Sequence, residues 1–335
     1  METKVAFEEE SVASSQPLNE YGGKPQLSAG WATVRNNILS KGGINEDRLY
    51  TRELLDKNGA DGVRLIGVFD GHGGSEAADY LIDHLQPAIR SSKFYPRDLP
   101  ACLRDAFIRT DVSFIEEMGA VTKCGSTALS IAMEGSILYL ANVGDCRAVI
   151  GHADGTPSQL TEDLNCENQK EVERIEKMGG RVVGGRVYGS LAVTRSIGDG
   201  DFKFTRVEME ETKKKSNPFA YQERSMRSFL PQTYLNDPHG TPTMVSAIPE
   251  ITVHHLSQQD RFLVAATDGL WNLMSNEEVV DFVQAGLMPK CGSGRGLPSP
   301  KRITKVAQSL LEHAVKKRAH DDVTVVIIVF DTAKM

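Results

Sequence analysis

The chain has 335 residues, 40% hydrophobic and 25% charged, an ordinary globular composition long enough for about two domains or one large sandwich. A formal net charge of −7 argues against the basic footprint of a nucleic-acid binder, and no apolar run approaches the ~20 residues of a membrane helix. Five scattered cysteines (Cys102, Cys124, Cys146, Cys166, Cys291) with no CxxC pair suit a reducing compartment better than a disulfide framework. No charged-then-apolar leader opens the chain, and Glu2 stands where myristoylation needs Gly. The expectation is a cytoplasmic protein, with nuclear access open, that is monomeric and binds neither nucleic acid nor membrane.

In chain order, residues 1–26 are polar and acidic and predict a flexible N-terminal tail. Strands are predicted at Arg64–Phe69, Ala128–Met133, Ile137–Val143, Arg261–Ala266 and Val323–Phe330, each short, apolar and bounded by Gly, Asp or Ser. Helices are predicted where apolar residues recur at spacings of three and four. One follows Ser75, through Ala77, Ala78, Leu81, Ile82, Leu85 and Ile89. Another begins near Glu167 and stops at Gly179-Gly180. Ser275 and Glu278 form a capping-box pattern before 277–286, and Ser299 caps a helix faced by Ile303, Val306, Ala307, Leu310, Leu311 and Ala314. Strand runs that adjoin without helices between them, as at 127–150, point to antiparallel sheets with helices packed outside. Residues 202–246 are polar, carry Lys213-Lys214-Lys215, and predict a surface flap; the lysine run itself suits a solvated face.

The chemistry lies at the strand ends. Asp70 closes one strand and precedes Gly71-His72-Gly73-Gly74; Asp145 and Asp268 follow two others; Asp321 and Asp322 stand directly before the last. Glu46 and Asp47 follow the Gly42-Gly43 pair. An Asp after a strand is by itself more often a turn former than a ligand. Four strands ending this way would gather their carboxylates at one rim, where they repel unless their pKa values rise or cations hold them. An all-oxygen donor set favours Mg²⁺ or Mn²⁺ over zinc or copper. His72 is either a hydrogen-bonded turn histidine or, beside such a rim, a general acid. The chain has no GxxxxGK[ST] loop, complete dinucleotide fingerprint, GxSxG elbow or HExxH helix.

Ten segments in order resemble the metal-dependent serine/threonine protein phosphatases (PPM, or PP2C): NEDR (45–48), VFDGHGG (68–74), CGSTA (124–128), LYLANVGDCRAVI (138–150), LTEDLN (160–165), ERIEKMGGRV (173–182), GSLAVTRSIGD (189–199), IPEI (248–251), FLVAATDGLWNLM (262–274) and HDDVTVV (320–326). The resemblance implies an α/β fold of the α+β kind, an α-β-β-α sandwich of two antiparallel sheets flanked by helices, with residues 27–335 as one phosphatase domain. It implies two Mg²⁺ or Mn²⁺ ions, with a third at a looser site, and phosphoprotein substrates. Asp70 would bridge two ions and the Gly71 carbonyl bind one. Asp268 and Asp321 would bind the other, Glu46 and Asp47 would hold metal-bound waters, and Asp145 corresponds to a third-metal residue. His72 takes the place of the leaving-group acid, in an attack by metal-activated water that needs no phosphoenzyme.

Two positions depart from the family pattern. Gly42 stands where most members carry an Arg that grips the substrate phosphate, with Lys41 one residue off; Arg206, Arg224 or Arg227 of the flap are candidates to replace it. Asn272 stands where many members have an Asp near the third metal. These two positions are the only support for a rival expectation, a pseudophosphatase that binds partners through the same fold.

Overall fold

The computed structural model describes residues 26–34, 45–54, 62–119, 121–203, 205, 232–237, 239, 242–287 and 297–331. The predicted tail up to residue 25, most of the flap, and positions 41 and 42 lie outside the described residues, as do Arg206, Arg224 and Arg227.

Two five-stranded antiparallel sheets form the centre. One runs Gln26–Val34, Val323–Asp331, Asp260–Ala266, Arg147–His152, Pro157–Gln159; the other runs Glu250–His255, Ile137–Val143, Ala128–Glu134, Val63–Phe69, Arg48–Leu54. Strand alternation sorts the apolar residues of the last long strand between two cores. Val326, Ile328 and Phe330 point into the layer between the sheets, where they meet Leu129, Ile131 and Leu140 of the other sheet. Val325, Ile327 and Val329 point outward, under helices Asn276–Leu287 and Pro300–Lys316. On the opposite outer face, helices Glu76–Ser91 and Leu99–Met118 cover Leu65, Phe69, Ala132 and Ala141. A strand covered on both faces reads as a continuous apolar run, and this one has eight buried residues in succession from Val323. The architecture is the helix–sheet–sheet–helix sandwich the motifs imply.

The capping expectations hold in part. Ser275 and Glu278 exchange hydrogen bonds of 3.0 and 3.2 Å, and Ser299 Oγ accepts from Arg302 N–H at 3.4 Å. Ser75 takes the N-cap position without a side-chain bond to the backbone; its hydroxyl donates to Asp79 instead. The third helix spans Gln169–Lys177, with Asn168 as its cap. Helix Leu99–Met118 has no counterpart among the predicted elements. It buries Leu103, Phe107, Phe114 and Ile115 together with Asp105, Thr110 and Asp111, so its polar side is covered too and no single apolar stripe marks it.

That covered side holds a buried ion pair. Asp111 and Lys203 are both fully buried, with 3.3 Å between Nζ and Oδ1. Burial pushes each toward its neutral form, Asp111 up and Lys203 down, and the two charges oppose this. Asp111 also accepts from Gly198 N–H at 2.7 Å and from Tyr234 Oη at 2.6 Å; Lys203 Nζ donates to the Ser196 carbonyl at 2.7 Å. Lys203 and Tyr234 are thus both tied to one helix through Asp111. Asp111→Ala leaves the Lys203 ammonium buried without its counter-ion, and urea unfolding is expected to show a loss of about 3–5 kcal/mol. A loss under about 1 kcal/mol would mean the pair contributes no more than an exposed one.

Candidate active site

Antiparallel registers decide which strand ends meet. Pairing of Arg48 with Phe69 sets Asp47 beside Asp70. Pairing of Ala266 with Val325 sets Asp268 beside the approach through Asp321 and Asp322. Pairing of Ala128 with Val143 puts the turn at Asp145, where the chain crosses from one sheet to the other, at this same end. Long-range hydrogen bonds fasten the rim. Glu46 N–H donates to Asp322 Oδ2 at 3.1 Å, and Gly71 N–H donates to the Glu46 carbonyl at 3.2 Å. Thr267 Oγ1 donates to Asp47 Oδ2 at 3.2 Å while accepting from Thr324 N–H at 3.1 Å. Thr127 exchanges two bonds with the Asp70 backbone, at 3.1 and 2.9 Å.

The glycine after each key aspartate has a steric reason. A Cβ at Gly71 would fall 2.5 Å from the Glu46 carbonyl oxygen, and one at Gly269 would fall 2.1 Å from that of Asp322. Any side chain there would push the segments of the rim apart.

The electrostatics are those of crowded anions. Burial raises the Asp70 pKa well above its ordinary value, and the charges of Asp47, Asp268, Asp145 and Asp321 raise it further. Asp47 is raised by burial, with Asp322 and Asp321 adding to it against hydrogen bonds from Thr324 and Thr267. Asp145 is pushed to about 7 by burial and then by Asp268. Asp321 is pushed to about 6 by lost hydration and then by Asp268. Burial is the first cause for Glu46 and Asp268 as well, both raised. No Lys or Arg among the described residues forms an ion pair with any of these six carboxylates. Among the described residues, no three His, Cys, Asp or Glu side chains close on one point as tightly as a metal's ligands do. All six carboxylates, with Gly71 between them, line the rim. Asn272 Nδ2 donates to Asp268 Oδ2 at 2.9 Å, which places an amide donor beside this carboxylate.

His72 lies in the same rim, and its Nε2 sits 2.8 and 3.0 Å from the two carboxylate oxygens of Asp199. Burial lowers the His72 pKa, but the Asp199 charge and hydrogen bond outweigh it and leave the imidazole above its ordinary value. Asp199 is 127 residues from His72 in sequence and was not among the expected site residues. Its only signal was its place at the end of the GSLAVTRSIGD segment.

Comparison with known proteins agrees with this arrangement. A family model described as protein phosphatase 2C matches residues 43–323. A probable protein phosphatase 2C 27 of Oryza sativa subsp. japonica is 31% identical over 270 residues, covering 80% of this chain and 65% of the relative. A probable protein phosphatase 2C 22 of Arabidopsis thaliana is 30% identical over 300 residues, covering 88% and 67%. The chain therefore spans about two thirds of the length of these curated relatives. Among solved structures, a phosphatase from Toxoplasma gondii has a TM-score of 0.63 at 20% identity, covering 92% of this chain and 96% of that one. A C. elegans sex-determining protein has 0.64 at 22%, covering 93% and 66%, and at these identities both speak for the fold. With the family model matched over residues 43–323, the chain belongs to the protein phosphatase 2C family.

Proposed function

We propose that this chain is a metal-dependent protein serine/threonine phosphatase whose rim carboxylates hold Mg²⁺ or Mn²⁺. The observation that carries the reading is the set of six carboxylates gathered from five strand ends without a basic partner among the described residues, in a chain of the 2C family. The donor set fits such ions: it is all oxygen, and burial, then mutual repulsion, opposes ionisation of its carboxylates, which a bound cation would offset. Asp70, the Gly71 carbonyl, Asp268 and Asp321 would hold two ions, with Glu46 and Asp47 beside them and Asp145 toward a third. Bound there, the ions supply positive charge that offsets the phosphate and acidifies a water molecule. The chain's own groups do the rest. Thr267 and Thr127 hold the Asp47 side chain and the Asp70 backbone in place, and His72 protonates the departing Ser or Thr oxygen. The pseudophosphatase alternative has no support from the family comparison, whose relatives are named as phosphatases.

Two outcomes follow. Asp70→Asn is expected to abolish Mn²⁺-dependent hydrolysis of a phosphothreonine peptide while leaving the melting temperature of the EDTA-stripped protein equal or higher, because it removes one of the repelling charges. Retained turnover would overturn the assignment. The second outcome concerns pH. A carboxyl whose folded pKa is raised contributes stability below its unfolded value, here 3.8, and loses it as pH rises through the folded value, about 6 for Asp321 and about 7 for Asp145. Metal-free protein should therefore lose stability from these groups between those limits. The melting-temperature gain on adding Mn²⁺ should be larger at pH 7.5 than at pH 5. A gain independent of pH would show that these carboxylates do not hold the ion.

A further inference from the structure

The segments CGSTA and GSLAVTRSIGD supply no carboxylate to the rim described above, yet they meet at His72. A small three-stranded sheet has Gly125–Ser126 at its centre, Gly71–His72 on one side and Ile197–Gly198 on the other. In its register, Gly125 is the partner of both His72 and Gly198. The Asp199 carboxylate reaches the imidazole by crossing over Gly125, where a side chain would stand in any other residue. A Cβ at Gly125 would fall 2.2 Å from Asp199 Oδ2, 2.4 Å from its Cγ and 2.6 Å from His72 Nε2. The missing side chain is the space in which the carboxylate and imidazole meet.

Asp199 is held for that contact. It is 3% exposed, and its backbone lies in the left-handed region at φ 52° and ψ 42°. Asp and Asn tolerate that conformation better than other side-chain-bearing residues, at some cost in energy. Its N–H donates to the Cys124 carbonyl at 3.1 Å, and Ser196 Oγ donates to its Oδ2 at 2.5 Å. Behind it, Lys203 Nζ on the Ser196 carbonyl and Asp111 on Gly198 N–H fix the turn from the other side.

We infer that Asp199 is the positioning residue for His72 in the hydrolysis proposed above, and that Gly125 is glycine because their contact occupies its side-chain space. The inference rests on the phosphatase reading and adds to it a role for two further segments. The carboxylate accepts from Nε2–H and so fixes the ring and its tautomer, leaving Nδ1 to carry the transferable proton. As the new P–O bond forms to the oxygen of a water that gives up one proton to solvent, and the bond to the Ser or Thr oxygen breaks, that oxygen takes the Nδ1 proton. Asp199 takes no part in the bond changes; its carboxylate holds the ring in place through the Nε2 contact.

A purely structural carboxylate would affect every substrate alike, whereas one acting through the leaving-group acid would not. An alkyl leaving group such as threonine needs the proton; p-nitrophenolate departs as the anion. With Mn²⁺, Asp199→Asn and Gly125→Ala are each expected to lose about 10²-fold or more in kcat on a phosphothreonine peptide, the lower end of the general-acid range, and far less on p-nitrophenyl phosphate. The double variant H72Q/D199N should be no slower on the peptide than His72→Gln alone, since both changes remove one function. Ser196→Ala, which deletes only a hydroxyl, should show the same preference with a smaller loss, so the inference can be judged even where a larger change impairs folding. Equal losses on both esters, multiplicative losses in the double variant, or unchanged turnover in all three single variants at 125, 196 and 199 would overturn it while wild-type activity leaves the phosphatase reading intact. A folded, metal-supplied wild type inert on both esters would overturn that reading and this inference together.

Discussion

Mutual repulsion among the carboxylates at one end of the sandwich is the constraint around which this fold is arranged. Asp47, Asp70, Asp145, Asp268 and Asp321 come from distant parts of the chain; burial makes them hard to ionise, and the charges of Asp47, Asp145, Asp268 and Asp321 add to this at their neighbours. A set of this kind opposes folding at neutral pH unless something of opposite charge binds it. The scaffold must then supply stability elsewhere. It does so with a core between the sheets and two outer cores, each built from alternate residues of the same apolar strands.

The rim is rigid because its hydrogen bonds join both sheets. Thr267 links the strand before it to Asp47 and to Thr324, and Asp322 receives the Glu46 N–H from 276 residues away. Glycines at 71 and 269 let these backbones approach closely enough to bond. The acidic groups are thereby fixed at a common edge and cannot relax outward into water one at a time.

A second polar system lies on the helix side. Lys203, Asp111 and Tyr234 are joined to the Ser196–Asp199 turn, and that turn carries the carboxylate at His72. Lys203, Tyr234 and the imidazole therefore belong to one connected set of polar contacts. Nearby, Glu171 is held by Arg174 and Arg195. Burial would raise its pKa, but the two guanidinium groups overcome this and bring it down to about 2, so helix Gln169–Lys177 stays fastened to the segment at 243–248.

The sequence by itself determined the central strands, the amphipathic helices and the family pattern that links them. Central strands are apolar on both faces and amphipathic helices repeat at a fixed spacing, so local residues carry the signal. Edge strands Arg48–Leu54 and Glu250–His255 were not legible, because an edge exposes polar residues and breaks the apolar run. Helix Leu99–Met118 was hidden for the opposite reason, with its polar side buried as well as its apolar one. Only the tertiary structure decided that Asp199 faces His72 across Gly125. That contact depends on the register of three two-residue strands and on one absent side chain, and neither has a local periodicity from which it could be read.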